Sequence, residues 1–151
     1  MKKRKNIITV AIDSPAAAGA GTQAKLLAEY FNLFYLDTGK IYRYIGKLKI
    51  NTGSKFTYSF VKKKIDKMKL HYLRNKTLLS NEVAIMASII ARDKKIREIV
   101  HKFQQKCAYN PPLKYRGSVL DGRDIITIQV KDAMFKFYIT ASLKVRAKRR
   151  F

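Results

Sequence analysis

The chain has 151 residues, 47% of them apolar and 28% charged, with 7 Gly, 3 Pro and 1 Cys. That is enough chain for one domain with a real core, and it excludes wholesale disorder, a collagenous repeat and a small disulfide-stapled scaffold. The 33 Lys and Arg against 10 Asp and Glu give a net charge of +23, which attracts polyanions. The basic residues are dispersed (Lys62-Lys63-Lys64, Lys94-Lys95, Arg149-Arg150), the pattern of a solvated surface more than of a nucleic-acid groove. Cys107 has no partner for an internal disulfide, no apolar run approaches a membrane span, and Met1–Lys5 is followed by charge too soon for a signal peptide. A cytoplasmic globular protein is expected, with no membrane and no specific nucleic-acid partner.

In chain order, Ile7–Ile12 is a short β-branched run that reads as a buried parallel strand. Asp13-Ser14-Pro15 ends it, and the small-residue run Ala16–Gly21 leads to a helix from Thr22 whose apolar side would carry Ala24, Leu26, Leu27, Tyr30 and Phe31. Strand, small-residue loop and helix open a βαβ unit. Leu33–Leu36 reads as a second strand, and Asp37 or Thr38 can cap a helix carrying Ile41, Tyr44, Ile45 and Leu48. Phe56–Met68 is helical in spacing, and Leu70–Leu73 with Thr77–Leu79 suggests a small hairpin around Arg74-Asn75-Lys76. Ser80 and Asp93 are caps for two further helices, and Tyr109-Asn110-Pro111-Pro112 breaks the second. Strands at Ser118–Leu120 and Phe135–Ile139 and a helix from Ala141 complete an α/β pattern with parallel strands.

Three segments carry chemistry, and each lies just after a strand, where ligands of open α/β sheets bind. Ser14–Thr22 has the strand-to-helix context of a phosphate-binding loop, in which small residues let backbone N–H groups close around phosphate oxygens and Thr22 can reach a phosphate-bound Mg²⁺. Ser14 stands where the motif's first Gly belongs and Ala20 where its Lys belongs; a tight ligand-free turn would read similarly. In Asp37-Thr38-Gly39-Lys40-Ile41-Tyr42-Arg43, Thr38 and Arg43 suit a phosphate or a base, or simply a capped helix with a surface arginine. Asp121-Gly122-Arg123-Asp124 suits ribose, base or Mg²⁺-water contacts, or a structural salt-bridge cluster.

Together these segments resemble the bacterial cytidylate (CMP/dCMP) kinases, P-loop nucleoside monophosphate kinases. The likeness rests on Ala11-Ile12-Asp13-Ser14-Pro15 through Gly21-Thr22, Leu36-Asp37-Thr38-Gly39 through Tyr42-Arg43, Ser88 through Ile96-Arg97, and Asp121–Asp124, in that order. It implies a three-layer P-loop NTPase fold, a single domain over 1–151 with a monophosphate-binding insert at about 45–92. It also implies a monomer that phosphorylates CMP or dCMP with ATP and Mg²⁺.

By position, Ser14, Pro15, Ala16, Ala17, Ala18, Gly19, Ala20, Gly21 and Thr22 would wrap the ATP phosphates, with Thr22 also the metal contact. Thr38, Arg43, Ser88, Arg97, Arg123 and Asp124 would bind CMP, and Asp121 and Arg123 would be catalytic. The chain departs from the family in carrying Ala20 in place of its lysine, and it stops before the lid, so a C-terminally incomplete core is expected. A degenerate or truncated homologue that binds nucleotide without catalysis is the alternative.

Overall fold

The computed structural model describes residues 6–150, leaving Met1–Lys5 and Phe151, and the side chain of Arg150, outside the described set. The elements are β1 (Ile8–Asp13), α1 (Ala20–Phe31), β2 (Leu33–Asp37), α2 (Thr38–Thr52), α3 (Tyr58–Asp66), α4 (Asn81–Ile90), α5 (Lys94–Tyr109), β3 (Gly117–Gly122), β4 (Phe135–Tyr138) and α6 (Leu143–Arg150). The four strands form one parallel sheet in the order β2-β3-β1-β4. The expected α/β class and the four expected parallel strands are present. Among the described residues no helix is long and apolar enough to cross a membrane.

The chain divides into two compact units. The first comprises the residues up to Asp37 and those from Gln104 on, and contains the whole sheet. Its central strands β1 and β3 run through the core (Val10, Ile12, Val119 and Leu120 are buried), as expected for parallel strands covered on both faces. β4 is an edge strand, exposed along its length.

α1 meets the core differently from expectation. Its inner face is Ala20, Ala24 and Ala28, spaced four apart, packed with Val10, Ile12, Leu33 and Val119. Leu26, Tyr30 and Phe31 are exposed, and Leu27 lies at the margin. Alanines on the facing stripe bring a helix axis closer to a sheet than leucines allow, so the large side chains are turned outward. Asn32, in the left-handed region at φ 53°, closes the helix and donates from its amide to the Lys114 carbonyl.

The second unit, Thr38–Phe103, is helical. Gly46 of α2 abuts α4: a Cβ there would lie 3.0 Å from the Ala87 amide nitrogen and 3.3 Å from the Val83 carbonyl. A side chain there would require α4 to give way by a few tenths of an ångström. Ile41 and Ile45 are fully buried beside it on α2, as are Val61 and all but a trace of Ile65 on α3. The caps expected at Ser80 and Asp93 are made. The Ser80 hydroxyl accepts from the Val83 amide at 3.3 Å, and the Asp93 carboxylate from that of Ile96 at 3.1 Å. Tyr58 donates to Asp93 at 2.9 Å, tying α3 to the start of α5.

The expected hairpin does not form. Leu70–Arg74 and Lys76–Leu79 are 3₁₀ turns instead, with Leu73 and Leu78 turned inward. The Asn75 side chain accepts from both the amide and the hydroxyl of Thr77, at 3.0 and 2.8 Å. That local bond holds the chain in a turn where a strand would need an extended backbone.

Candidate functional site

In the sheet unit, the loops after β1 and β3 lie side by side at the carboxyl end of the sheet. β1 and β3 pair in register to their last residues, Asp13 with Gly122, and the Ser14 amide bonds the Gly122 carbonyl at 3.1 Å. β2 ends level with them, Asp37 pairing with Asp121.

The first loop is shaped by its backbone. Ala17 sits in the left-handed region at φ 60°, and Gly19 at φ 98°. Left-handed backbone, which a motif glycine would occupy easily, therefore falls on Ala17 and not on Ser14. The Ala18 amide bonds back to the Pro15 carbonyl at 3.3 Å. α1 then starts at Ala20 with no side-chain cap and no acidic residue in its first turn. Its leading N–H groups and positive dipole end are thereby directed at the loop.

A cavity of about 730 Å³ opens against this loop, lined among others by Ala17, Gly19, Thr22, Gln23, Thr140 and Arg149. Ala20 does not line it; its side chain is buried in the core. From α6, Arg149 donates to the carbonyls of Ala17 and Ala18 at 3.3 and 3.0 Å, and Arg146 to that of Ala16 at 3.5 Å. The carbonyls are thus drawn towards α6. Sequence reasoning did not connect these arginines to the loop, although their spacing of three on one helix face was visible.

The second loop is built around Asp13, a buried carboxylate accepting from the amides of Ile125 and Ile126 at 2.6 and 3.1 Å. These amides open a single π-helical turn, Ile125–Gln129, and the Asp124 carbonyl accepts from Ile128 and Gln129 at its far side. Asp124 also accepts from the Gln129 side chain at 3.4 Å. Arg123 is exposed on the turn.

Asp121, at the end of β3, faces the start of α1. A Cβ on Gly21 would lie 3.5 Å from both the Asp121 carboxylate and the Tyr35 hydroxyl. Burial, then the neighbouring Asp37 carboxylate, pushes the Asp121 carboxyl up to about 6, against the stabilising hydrogen bond from Tyr35. Burial and the same two carboxylates push the Tyr35 phenol up as well. Two carboxylates and a phenol hydroxyl thus share one corner beside α1, and sequence reasoning took Tyr35 only as part of the strand Leu33–Leu36.

In the helical unit, Thr38 opens α2 and is buried. Arg43, on the next turn, donates to the Leu78 carbonyl at 2.8 Å, which anchors the 3₁₀ segment as well as presenting a guanidinium. Ser88 is exposed on α4, its hydroxyl donating to the Ile85 carbonyl at 2.7 Å, and Arg97 is exposed on the first turn of α5. Each expected residue is therefore placed within its own unit.

Among the described residues no group of three or more His, Cys, Asp or Glu side chains could cage a metal ion. The oxygen donors near α1, the Thr22 hydroxyl and the Asp121 carboxylate, do suit Mg²⁺, which takes one or two protein oxygens and completes its shell with phosphates and water. The electrostatic strain between Asp121 and Asp37 is what a divalent cation would relieve.

Comparison with known proteins gives a consistent result. The cytidylate kinase family matches residues 10–151. A cytidylate kinase of Rhodopseudomonas palustris is 39% identical over 146 residues, covering 94% of this chain and 66% of its own length. One from Clostridium perfringens is 38% identical over 156 residues, covering 96% and 70%, and one from Agrobacterium fabrum is 40% identical over 144 residues, covering 95% and 67%. The chain spans about two thirds of the length of these relatives.

Proposed function

The chain belongs to the cytidylate kinase family, and from that footing we propose that it transfers the γ-phosphoryl group of ATP to CMP or dCMP. What supports this reading most directly is the cavity bounded by the uncapped start of α1 and the loop Ser14–Gly19, a site built of backbone donors for phosphate oxygens. The loop would receive the phosphates of ATP. The helical unit would be the monophosphate-binding segment, with Arg43 on the CMP phosphate, Thr38 beside it, and Ser88 and Arg97 near the cytosine. The family resemblance also assigns Arg123 and Asp124 to CMP. Arg43 uses one donor on Leu78, and its fork has others for a phosphate.

Phosphoryl transfer leaves the protein little covalent work. An oxygen of the CMP phosphate attacks the γ-phosphorus, the bond to the bridging β,γ-oxygen breaks, and ADP leaves with the electron pair. The residues contribute alignment and charge. Mg²⁺, held through Thr22 and Asp121 together with the nucleotide, would neutralise phosphate charge. Asp121 and Arg123 would order the groups around the transferring phosphoryl, and the chain would act in the cytoplasm as a monomer.

The test is a titration of the chain with CMP and with ATP, joined to an assay of CMP-dependent ADP release. Arg43→Ala is expected to weaken CMP by about 1.5–3 kcal/mol, the size of a hydrogen bond to a charged group, and to leave ATP unchanged. Tight ATP binding with no CMP binding at all would overturn the assignment.

A further inference from the structure

Strand pairing carries one phenol onto the Asp121 carboxylate. Alternate side chains of a strand share a face, so Tyr35 and Asp37 point one way from β2, and Val119 and Asp121 point one way from β3. The register sets Tyr35 opposite Val119 and Asp37 opposite Asp121, and paired residues project to the same side. From β1, Val10 and Ile12 stand opposite the same two β3 residues. All of them therefore lie on the face that α1 covers, where Val10, Ile12 and Val119 form one cluster with Ala20 and Ala24 and Tyr35 packs against it.

Asp121 is the diagonal neighbour of Tyr35, a separation that an aromatic side chain can span. Here it does. The Tyr35 hydroxyl donates to the Asp121 carboxylate, and the two oxygens each lie 3.5 Å from where a Cβ on Gly21 would be. They meet over the first turn of α1, beside the residue that precedes Thr22.

A carboxylate that holds a phosphate-bound cation has to be charged and aimed. Burial and the Asp37 carboxylate work against the charge on Asp121, and the hydrogen bond from Tyr35 works for it. The ring of Tyr35 is seated against the core cluster, so its hydroxyl is a donor held in place by packing. Two carboxylate oxygens offer about four acceptor positions, and one hydrogen bond from a phenol leaves the group the capacity to ligate. Side chains that orient a ligand in this way alter metal affinity without touching the metal.

We propose that Tyr35 is a positioning residue for the metal of the donor nucleotide: its hydroxyl fixes the orientation in which Asp121, together with Thr22, addresses Mg²⁺. This rests on the reading of Thr22 and Asp121 as the oxygens that hold that ion. Tyr35 acts through Asp121 alone.

The experiment is calorimetric titration of ATP, once with Mg²⁺ and once with EDTA, and of CMP, into the chain and its variants. The quantity read is the gain in ATP affinity that Mg²⁺ brings. Tyr35→Phe keeps the ring and removes only the hydroxyl. It is expected to cut that gain roughly tenfold, with metal-free ATP and CMP bound as by the parent. Asp121→Asn should abolish the gain, and adding Tyr35→Phe to it should change nothing further, because the two side chains act as one unit. Tyr30→Phe, which removes an exposed phenol from α1, should match the parent.

Thermal melts accompany each titration, since a hydroxyl that served stability alone would lower the melting temperature and leave the Mg²⁺ gain intact. A full gain in Tyr35→Phe, a Tyr35→Phe chain that does not fold, or a further loss when it is added to Asp121→Asn would overturn the role of Tyr35 and leave Asp121 as the metal carboxylate. A parent whose ATP affinity Mg²⁺ does not raise, or an Asp121→Asn variant that keeps the parent's gain, would overturn the metal reading of Thr22 and Asp121, and this inference with it.

Discussion

The two loops at the carboxyl end of the sheet follow neighbouring strands and are solved in opposite ways. After β3, the amides of Ile125 and Ile126 are taken by the Asp13 carboxylate, so the chain is closed on itself by a charge from β1. After β1, no side chain caps α1, the shape comes from Ala17 and Gly19 in left-handed conformations, and arginines engage the carbonyls from the far side. One loop is satisfied from within. The other leaves the uncapped start of α1 beside a cavity, and that contrast separates a structural turn from a binding turn more sharply than composition does.

The largest expected effect comes from opening the closed loop. Asp13→Ala strands the buried Ile125 amide and the half-buried Ile126 amide at the start of the π-turn, and a loss of about 2–4 kcal/mol is expected in denaturant melts. Ser14→Ala should be nearly silent in the same melts. Equal losses in the two variants would erase the distinction between the loops.

Next in size is Asp121→Asn. The Asp121 carboxyl is pushed up to about 6, so the folded state holds a proton that the unfolded chain has already released above its ordinary value near 3.8. Stability contributed by this group is therefore full below about pH 4 and falls as pH rises towards 6. Removing the charge should raise stability at pH 7 by up to about 3 kcal/mol and flatten that slope, in Mg²⁺-free buffer. Melts from pH 4 to 7 that stay parallel for the two proteins would contradict the burial of this carboxylate. The smallest effect is at Ala17, where glycine relieves a left-handed alanine and should gain no more than about 1 kcal/mol. Its partner test, Gly19→Ala, should lose stability, since φ there is 98° and Arg149 already fills the space.

Much of this arrangement was legible in the sequence, but not the reasons for it. β-branched runs bounded by Gly, Pro and Asp marked the strands, and the spacing of Ser14–Thr22, Asp37–Arg43 and Asp121–Asp124 marked the strand ends. Ser80 and Asp93 were readable as caps because a cap acts within three residues. Asp13 was not readable in its actual role, since its partners lie more than a hundred residues along the chain. The inner face of α1 was misread because hydrophobic spacing favours Leu26, Leu27, Tyr30 and Phe31, whereas close packing on the sheet selects Ala20, Ala24 and Ala28. The 3₁₀ turns at Leu70–Leu79 show the same limit: apolar residues bounding Asn75 fit a hairpin until the Asn75 side chain claims Thr77.

β4 lies at an edge of the sheet, with Phe135, Phe137 and Tyr138 exposed and Lys136 between them. An open strand edge bearing aromatics is a template for strand-to-strand association between molecules, and a charged residue within it is a common safeguard. With a net charge of +23, neighbouring molecules also repel strongly at low ionic strength. Colloidal behaviour should therefore run opposite to that of most basic proteins in complex with polyanions: added salt should promote self-association. Light scattering that rises with sodium chloride, and falls again when Phe137 is replaced by lysine, would locate that association on β4.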